Sequence, residues 1–556
     1  MARVLEIVLD FPLQGWQAGR GSRARAARDL GAELARAWRI CPPVKMRRGH
    51  ERVTIEPCRF VEAQPDDGGR WQTWIEATAQ ARRVIAVRCH PFVPGVTVRE
   101  RFDDYRGDVR VATPVAEHHA SRAAPSASDS RDADADADAA EHGAAPPELR
   151  SSDQPAHGFV AERRHGRWLD ADGIEVELTL DDIAFAPAAA LSETTRAVPS
   201  RICELRLAVA DPDDPAARAA ALRALFNAAR ELSGAWPASL SPTSVLDRAC
   251  TGDAPDAIGA PAKAQSVDLS NVRTQRAAFF ALGCGVTGQW LGNEAGVRDK
   301  ADPEYVHQMR VALRRLRTLA RLFPRYADAA WKDAFSGDIG WLGGMLGAVR
   351  DWDVCVTSTL PALAAADGDE AAWAGTLDAA CAQGDAARAE LRQALGTARY
   401  TRLVLAWLEW LSLFPLGKAD PAHGKALSLK RYAAKRVSRL FGHLYGAGRL
   451  TTLDAAARHR VRIDAKRLRY ALEFFSSLAS RRTREGTVRL LARVQNALGE
   501  ANDAAVALRC LERLSAPPYQ LGFARGYGAA AQRYAAEAAE QMLRGMRAPK
   551  IGGRKA

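Results

Sequence analysis

The sequence has no run of about 18 consecutive apolar residues, which excludes an ordinary membrane-spanning helix. It has no C-x-x-C pair. Its nine cysteines (Cys41, Cys58, Cys89, Cys203, Cys250, Cys284, Cys355, Cys381 and Cys510) are odd in number and scattered. That argues against a disulfide framework and a zinc site, and for a reducing compartment. The opening residues MARVLEIVLDFPLQGW lack the basic segment, apolar stretch and small-residue cleavage site of a secretion signal. A cytoplasmic protein with no membrane partner is expected. Lysine is scarce: 11 of the 78 basic residues are Lys and the other 67 are Arg. With so much alanine alongside, this ratio reads as compositional bias. A net charge of +12 invites a polyanion, but by itself fits a bland surface equally well.

What is present sorts into two unlike halves. At 556 residues the chain has room for roughly three to four domain-sized units. Residues 1–250 are rich in period-two, β-branched segments: RVLEIVLDF, RVTIEPCRFVEA, RVIAVRCHPFV, VTVRERF, GIEVELTLDDIAFA and RICELRLAVA. Two amphipathic stretches, ARAARDLGAELARAW and DPAARAAALRALFNAARELSGAW, read as helices. An insert at 120–157, made largely of Ala, Ser, Asp and Pro, cannot bury enough surface to offset its chain entropy and is expected to be disordered. Residues 251–269 read as a linker, 270–545 as all-helical, and 546–556 as a basic tail. The expected class is multidomain α+β: an N-terminal antiparallel β-barrel or curved sheet with helices, then C-terminal all-α duplicated helical bundles. Gly283-Cys-Gly285-Val-Thr-Gly288 matches G-x-G-x-x-G, but RTQRAAFFALG before it is helical in pattern. No nucleotide site is expected there.

The helical half contains an internal repeat. His307-Gln-Met-Arg310-Val-Ala-Leu-Arg314-Arg315-Leu-Arg317 matches His459-Arg-Val-Arg462-Ile-Asp-Ala-Lys466-Arg467-Leu-Arg469 at a shift of 152 residues. The same ungapped shift pairs Phe323 with Phe475, Leu346-Gly347 with Leu498-Gly499, and Asp351 with Asp503. A duplicated unit with pseudo-symmetry is expected.

Helix geometry places His307, Arg310, Arg314 and Arg317 in a stripe about 80° wide, extended by Arg321. His459, Arg462, Lys466 and Arg469 form its counterpart. Like charges three and four residues apart repel. No Asp or Glu lies between His307 and Arg321. A solvated face, or salt bridges to Glu294, Asp302 and Glu473, would account for one such ladder. Two in register call for an external anion. Arg offers a planar fork to phosphate oxygens, Lys a point charge, and His a donor whose protonated form a phosphate favours. Asp351 and Asp503 are expected to orient a ladder group or cap a helix. A third basic stretch, with Lys430, Lys435 and Arg439, either adds to the groove or forms a wet face.

The segments VHQMRVALRRLR, LGAVRDWDV, HRVRIDAKRLRYALEFF and ALGEANDAAV resemble the CHAD domain, the conserved-histidine α-helical domain. The resemblance implies two helical bundles around a basic cavity, binding of inorganic polyphosphate, often at polyphosphate granules, and no catalytic role. The N-terminal half resembles a CYTH domain, the triphosphate-tunnel barrel, in a worn form. The family's Glu-x-Glu-x-Lys stands here as Glu6-Ile-Val8-Leu-Asp10. GGRWQTWIEA has no lysine where the family has one. The late acidic strand reads Glu204-Leu-Arg206-Leu-Ala208, and the closing motif Ser244-Val245-Leu-Asp-Arg248. Loss of the metal-holding carboxylates and phosphate-gripping cations implies a scaffold without catalysis, metal or cofactor.

The leading expectation is a non-catalytic polyphosphate binder, located on granules and meeting granule-associated proteins there. One alternative is a metal-dependent triphosphatase or polyphosphatase in the N-terminal barrel. Another is a nucleic-acid-binding or scaffolding protein, though the sequence carries no helix-turn-helix, zinc-finger or RNA-recognition signature.

Overall fold

The computed structural model describes residues 2–11, 30–39, 44–60, 72–79, 81–89, 97–102, 149–150, 159–185, 200–234, 238–240, 260–416 and 428–552. The N-terminal part runs β1 (Ala2–Phe11), α1 (Leu30–Arg39), β2 (Val44–Met46), β3 (Glu51–Phe60), β4 (Gln72–Ala77), β5 (Arg82–Cys89), β6 (Thr97–Phe102), β7 (Leu149–Arg150), β8 (Phe159–Leu169), β9 (Glu175–Phe185), β10 (Ser200–Ala210), α2 (Pro215–Ser233) and β11 (Ser239–Leu240). The strands form an antiparallel sheet in the order β2-β8-β9-β10-β1-β6-β5-β4-β3-β7, with β11 beside β1. β3 pairs with β8 as well, from Glu51 opposite Arg163 to Ile55 opposite Phe159; the sheet is curved and antiparallel. Most of the insert at 120–157 lies outside the described residues. Leu149 and Arg150 are the exception, pairing with Phe60 and Arg59 at the end of β3. Ser244–Arg248 also lies outside them.

Alternation along the strands separates two chemistries. Cys203, Leu205, Leu207 and Val209 of β10 join an apolar core with Leu5, Ile7 and Leu9 of β1 and with Leu222, Leu225 and Phe226 of α2. The intervening residues turn to the other face, where Glu6, Glu204, Arg206, Asp181, Arg163 and Glu76 are also buried. Buried charges persist only when paired, and these are. Arg163 Nε donates to Asp181 Oδ1 at 2.8 Å, and its Nη2 donates to Glu76 Oε1 at 2.9 Å. Arg206 Nε donates to Glu204 Oε1 at 2.9 Å, and Arg99 Nε lies 3.0 Å from Glu6 Oε2. The carboxylates hold both the Arg163 and Arg206 guanidiniums more firmly protonated than usual, against the opposing effect of burial.

The helical part comprises α3 (Gln275–Leu291), α4 (Glu294–Asp299), α5 (Pro303–Leu322), α6 (Ala329–Val354) with a π-helical turn at Cys355–Thr359, α7 (Leu360–Asp367), α8 (Glu370–Leu395), α9 (Ala398–Leu413), α10 (Leu429–Tyr445), α11 (Ala455–Phe474), α12 (Val488–Arg513) and α13 (Pro518–Arg544). Gly283, Gly285 and Gly288 lie inside α3, as the helical pattern predicts. α5 and α11 are separated by 152 residues at both ends. Their N-caps, Asp302 and Asp454, obey the same shift, accepting from Glu304 N and Ala457 N at 2.8 and 2.6 Å. Beyond α13, Lys550 folds back: its carbonyl accepts from Ser480 N and its N–H donates to Thr483 Oγ1.

Candidate functional site

α5 and α11 pack against each other, and residues equivalent under the repeat lie near one another at that contact. The rings of Phe323 and Phe475 touch edge to face, with centroids 6.0 Å apart. Arg310 and Arg462 act on one another electrostatically, as do Arg314 and Lys466, and Asp351 and Asp503. In a twofold arrangement a residue meets its own mate only beside the axis. Four such pairs place the pseudo-twofold axis through the middle of the cationic cluster. The two ladders therefore face each other.

The cluster is crowded and half-buried. His307, Arg310, Arg314 and Arg317 on α5, and Arg462, Lys466 and Arg469 on α11, are all of intermediate exposure. Among the described residues, none of Arg310, Arg314, Arg462 or Lys466 has a carboxylate within 4 Å. The Nε groups of Arg314 and Arg462 are buried with no hydrogen-bond partner among the described residues. Asp351 on α6 and Asp503 on α12 are the nearby countercharges, Asp351 facing Arg310 and Asp503 facing Arg462 and Lys466. Burial raises the Asp351 carboxyl above the usual range, with Asp503 adding to the rise and Arg310 opposing it.

Titration reflects this crowding. Burial pushes the His307 imidazole down to about 4, aided by Arg350, Arg314 and Arg310 and opposed by Glu304. Burial also pushes the Lys466 ammonium down to about 7, aided by Arg462, Arg314 and Arg310 and opposed by Asp503. Arg317 is anchored by its Nη2, which donates to Ile339 O at 3.0 Å. Arg321 is exposed and lies near Arg467.

The other sequence-predicted residues are placed differently. Arg469 pairs with Glu473 at 3.2 Å, the carboxylate named among the neutralising alternatives, so this rung is partly satisfied within the protein. His459 is exposed, unlike its mate His307. Lys430, Lys435 and Arg439 are exposed on α10.

Two residues escaped the sequence reading. Arg350 lies beside Asp351 in LGAVRDWDV and presses on both His307 and Arg310; its adjacency to Asp351 was the available signal. Arg315, a motif arginine, turns away from the cationic cluster. It is buried over the Phe474 ring at 5.0 Å and donates to Gln289 Oε1 at 2.8 Å, tying α5 to α3 and α11.

The CHAD domain family model matches residues 285–512. A solved structure of the CHAD domain from the plant Ricinus communis is 36% identical; the match covers 52% of this chain and 99% of that one, with a TM-score of 0.46. PptA from Streptomyces chartreusis is 19% identical over 48% of this chain and 97% of that one, with a TM-score of 0.37. No curated protein matches the chain. Residues 285–512 are a CHAD domain, and through them the chain belongs to the CHAD family.

Proposed function

We propose that the chain binds inorganic polyphosphate in the groove between α5 and α11, without catalysis, and that it does so on polyphosphate granules. One observation carries the reading: Arg310, Arg314, Arg462 and Lys466 converge across the pseudo-twofold axis with no carboxylate within 4 Å among the described residues. Half-buried cations with incomplete countercharge disfavour the empty state. A linear polymer with one charge per repeating unit supplies the missing anions in a row, and the two ladders related by the pseudo-twofold can grip it from both sides.

The N-terminal sheet supports the non-catalytic part of the proposal. Read as a degenerate triphosphate tunnel, its inward carboxylates and guanidiniums bind each other, Arg163 to Glu76 and Asp181, and Arg206 to Glu204. Groups so engaged are poorly placed to take a phosphate and its metal, so the sheet serves as a scaffold.

Gel-shift or filter-binding titration with long-chain polyphosphate tests the main reading. Wild-type affinity is expected to fall steeply with salt as counterions are released. Replacing Arg310, Arg314, Arg462 and Lys466 together by Ala should abolish binding while circular dichroism stays helical. Undiminished binding by that variant would sink the groove model. Phosphate release above background in magnesium or manganese would overturn the non-catalytic part, and preference for DNA at equal phosphate concentration would favour a nucleic-acid binder.

A further inference from the structure

Lys466 is half-buried on α11, in the contact with α5, and has no carboxylate within 4 Å among the described residues. Arg310 and Arg314 face it from α5, Arg462 lies one turn before it on α11, and Asp503 of α12 is the opposing carboxylate. On the remaining elements packed against α11, the charged groups are turned elsewhere. Those of α10 are exposed apart from Arg436, which donates to Tyr432 Oη at 3.0 Å. Arg484 and Glu485, in the turn Thr483–Thr487, are exposed. Arginine does not surrender its proton in proteins, whereas a lysine held among like charges does so readily. In a groove of fixed guanidiniums, the lysine is the site where charge can be shed.

We propose that Lys466 is the proton-accepting group of the cationic cluster and takes a proton from solvent onto Nζ when a polyanion enters, so that capture of the chain is coupled to proton uptake. This inference rests on the polyphosphate reading and deepens it. Burial and the three arginines hold the empty-state ammonium near 7. Bound phosphate oxygens add negative charge where Asp503 alone now stands, which restores the charged form toward the ordinary lysine range. The sign follows from linkage: the bound state holds more protons than the free state between these two values. Affinity is therefore greatest below about pH 7 and falls, by up to about tenfold per pH unit, from about pH 7 to 9. His307 shares the arrangement, with Arg350, Arg310, Arg314 and Glu304 around it, but its free value of about 4 puts its own uptake in the acid range.

The test is isothermal titration calorimetry of the full chain with long-chain polyphosphate at about pH 8, in two buffers of different ionisation enthalpy. Long chains keep the titratable end groups few. The wild type should take up close to one proton per occupied groove. Lys466→Arg, which keeps the charge but cannot titrate, should bind with little uptake and a flattened pH profile. Lys466→Met should bind more weakly, also with little uptake. Buffer-independent heats for a wild type that binds, or equal uptake by the arginine variant, would overturn the proposal. A wild type that binds no polyphosphate at any pH would refute the underlying function, and this inference with it.

Discussion

Gly343 and Gly347 sit one turn apart on α6, and each lies under an arginine of α5. A Cβ on Gly343 would stand 2.8 Å from Arg317 Nη2, and one on Gly347 would stand 3.6 Å from Arg310 Nη2. The first distance is shorter than real Cβ contacts allow, but the obstructed atom is the far end of a flexible side chain. Arg317 must leave Ile339 O rather than the helices moving apart. Alanine is also the better helix former, by up to about 1 kcal/mol. Gly343→Ala should therefore leave the melting temperature unchanged or raised while lowering polyphosphate affinity several-fold. A loss of stability with unchanged affinity would show that Arg317 belongs to the packing and not to the groove. Single residues of this kind are illegible in sequence. A glycine in a helix signals a close approach but not what approaches it. In the same way, the pattern R-R-L-R does not reveal that Arg315 turns inward onto Phe474 while its mate Arg467 stays half-exposed beside Asp464 at 2.9 Å.

Elements were far more legible than residues. The extents of α5 and α11 obey the 152-residue shift found in the sequence, and so do their caps: Asp302 before Pro303, and Asp454 before Ala455. The equivalents it paired also lie near one another in the structure, Phe323 by Phe475 and Arg310 by Arg462. What periodicity could not supply was the neighbour of each stripe. It places Lys430, Lys435 and Arg439 on one helix as readily as it places the ladders, yet α10 turns these three to solvent and α11 turns Lys466 to α5. The caps offer an element-scale prediction. Asp302→Ala and Asp454→Ala each remove an acceptor for an orphan helix N–H, which costs about 1 kcal/mol. Each should lower the melting temperature by a few degrees, and the two effects should add, the caps lying on different helices. Thermal unfolding of the two single variants and the double variant would check this; a double variant no less stable than either single one would contradict independent caps.

At the scale of the whole molecule, the strand-rich and helical parts are joined through one continuous apolar core. The core runs from Leu5, Ile7 and Leu9 of β1 through Leu225 and Phe226 of α2 to Leu403, Val404 and Leu408 of α9. Polar contacts reinforce the seam: Arg230 of α2 pairs with Glu409 of α9, and the Thr401 hydroxyl donates to Ala238 O. A boundary sealed this way couples the stability of the sheet to events between α5 and α11. A polyanion bound only by the folded protein stabilises it by about 2.7 kcal/mol at a hundred times its dissociation constant. If the parts open together, that gain must appear in both. Hydrogen–deuterium exchange should therefore show slower exchange on polyphosphate addition in α5 and α11 and also in the slowest amides of β9 and β10, around Leu178–Leu180 and Leu205–Leu207. The quadruple groove variant should show neither change. Protection confined to the helices would mean that the seam at α2 and α9 yields before the sheet does. The N-terminal part would then be a separate body carried beside the groove, with its paired internal charges serving its own fold and adding nothing to the hold on the chain.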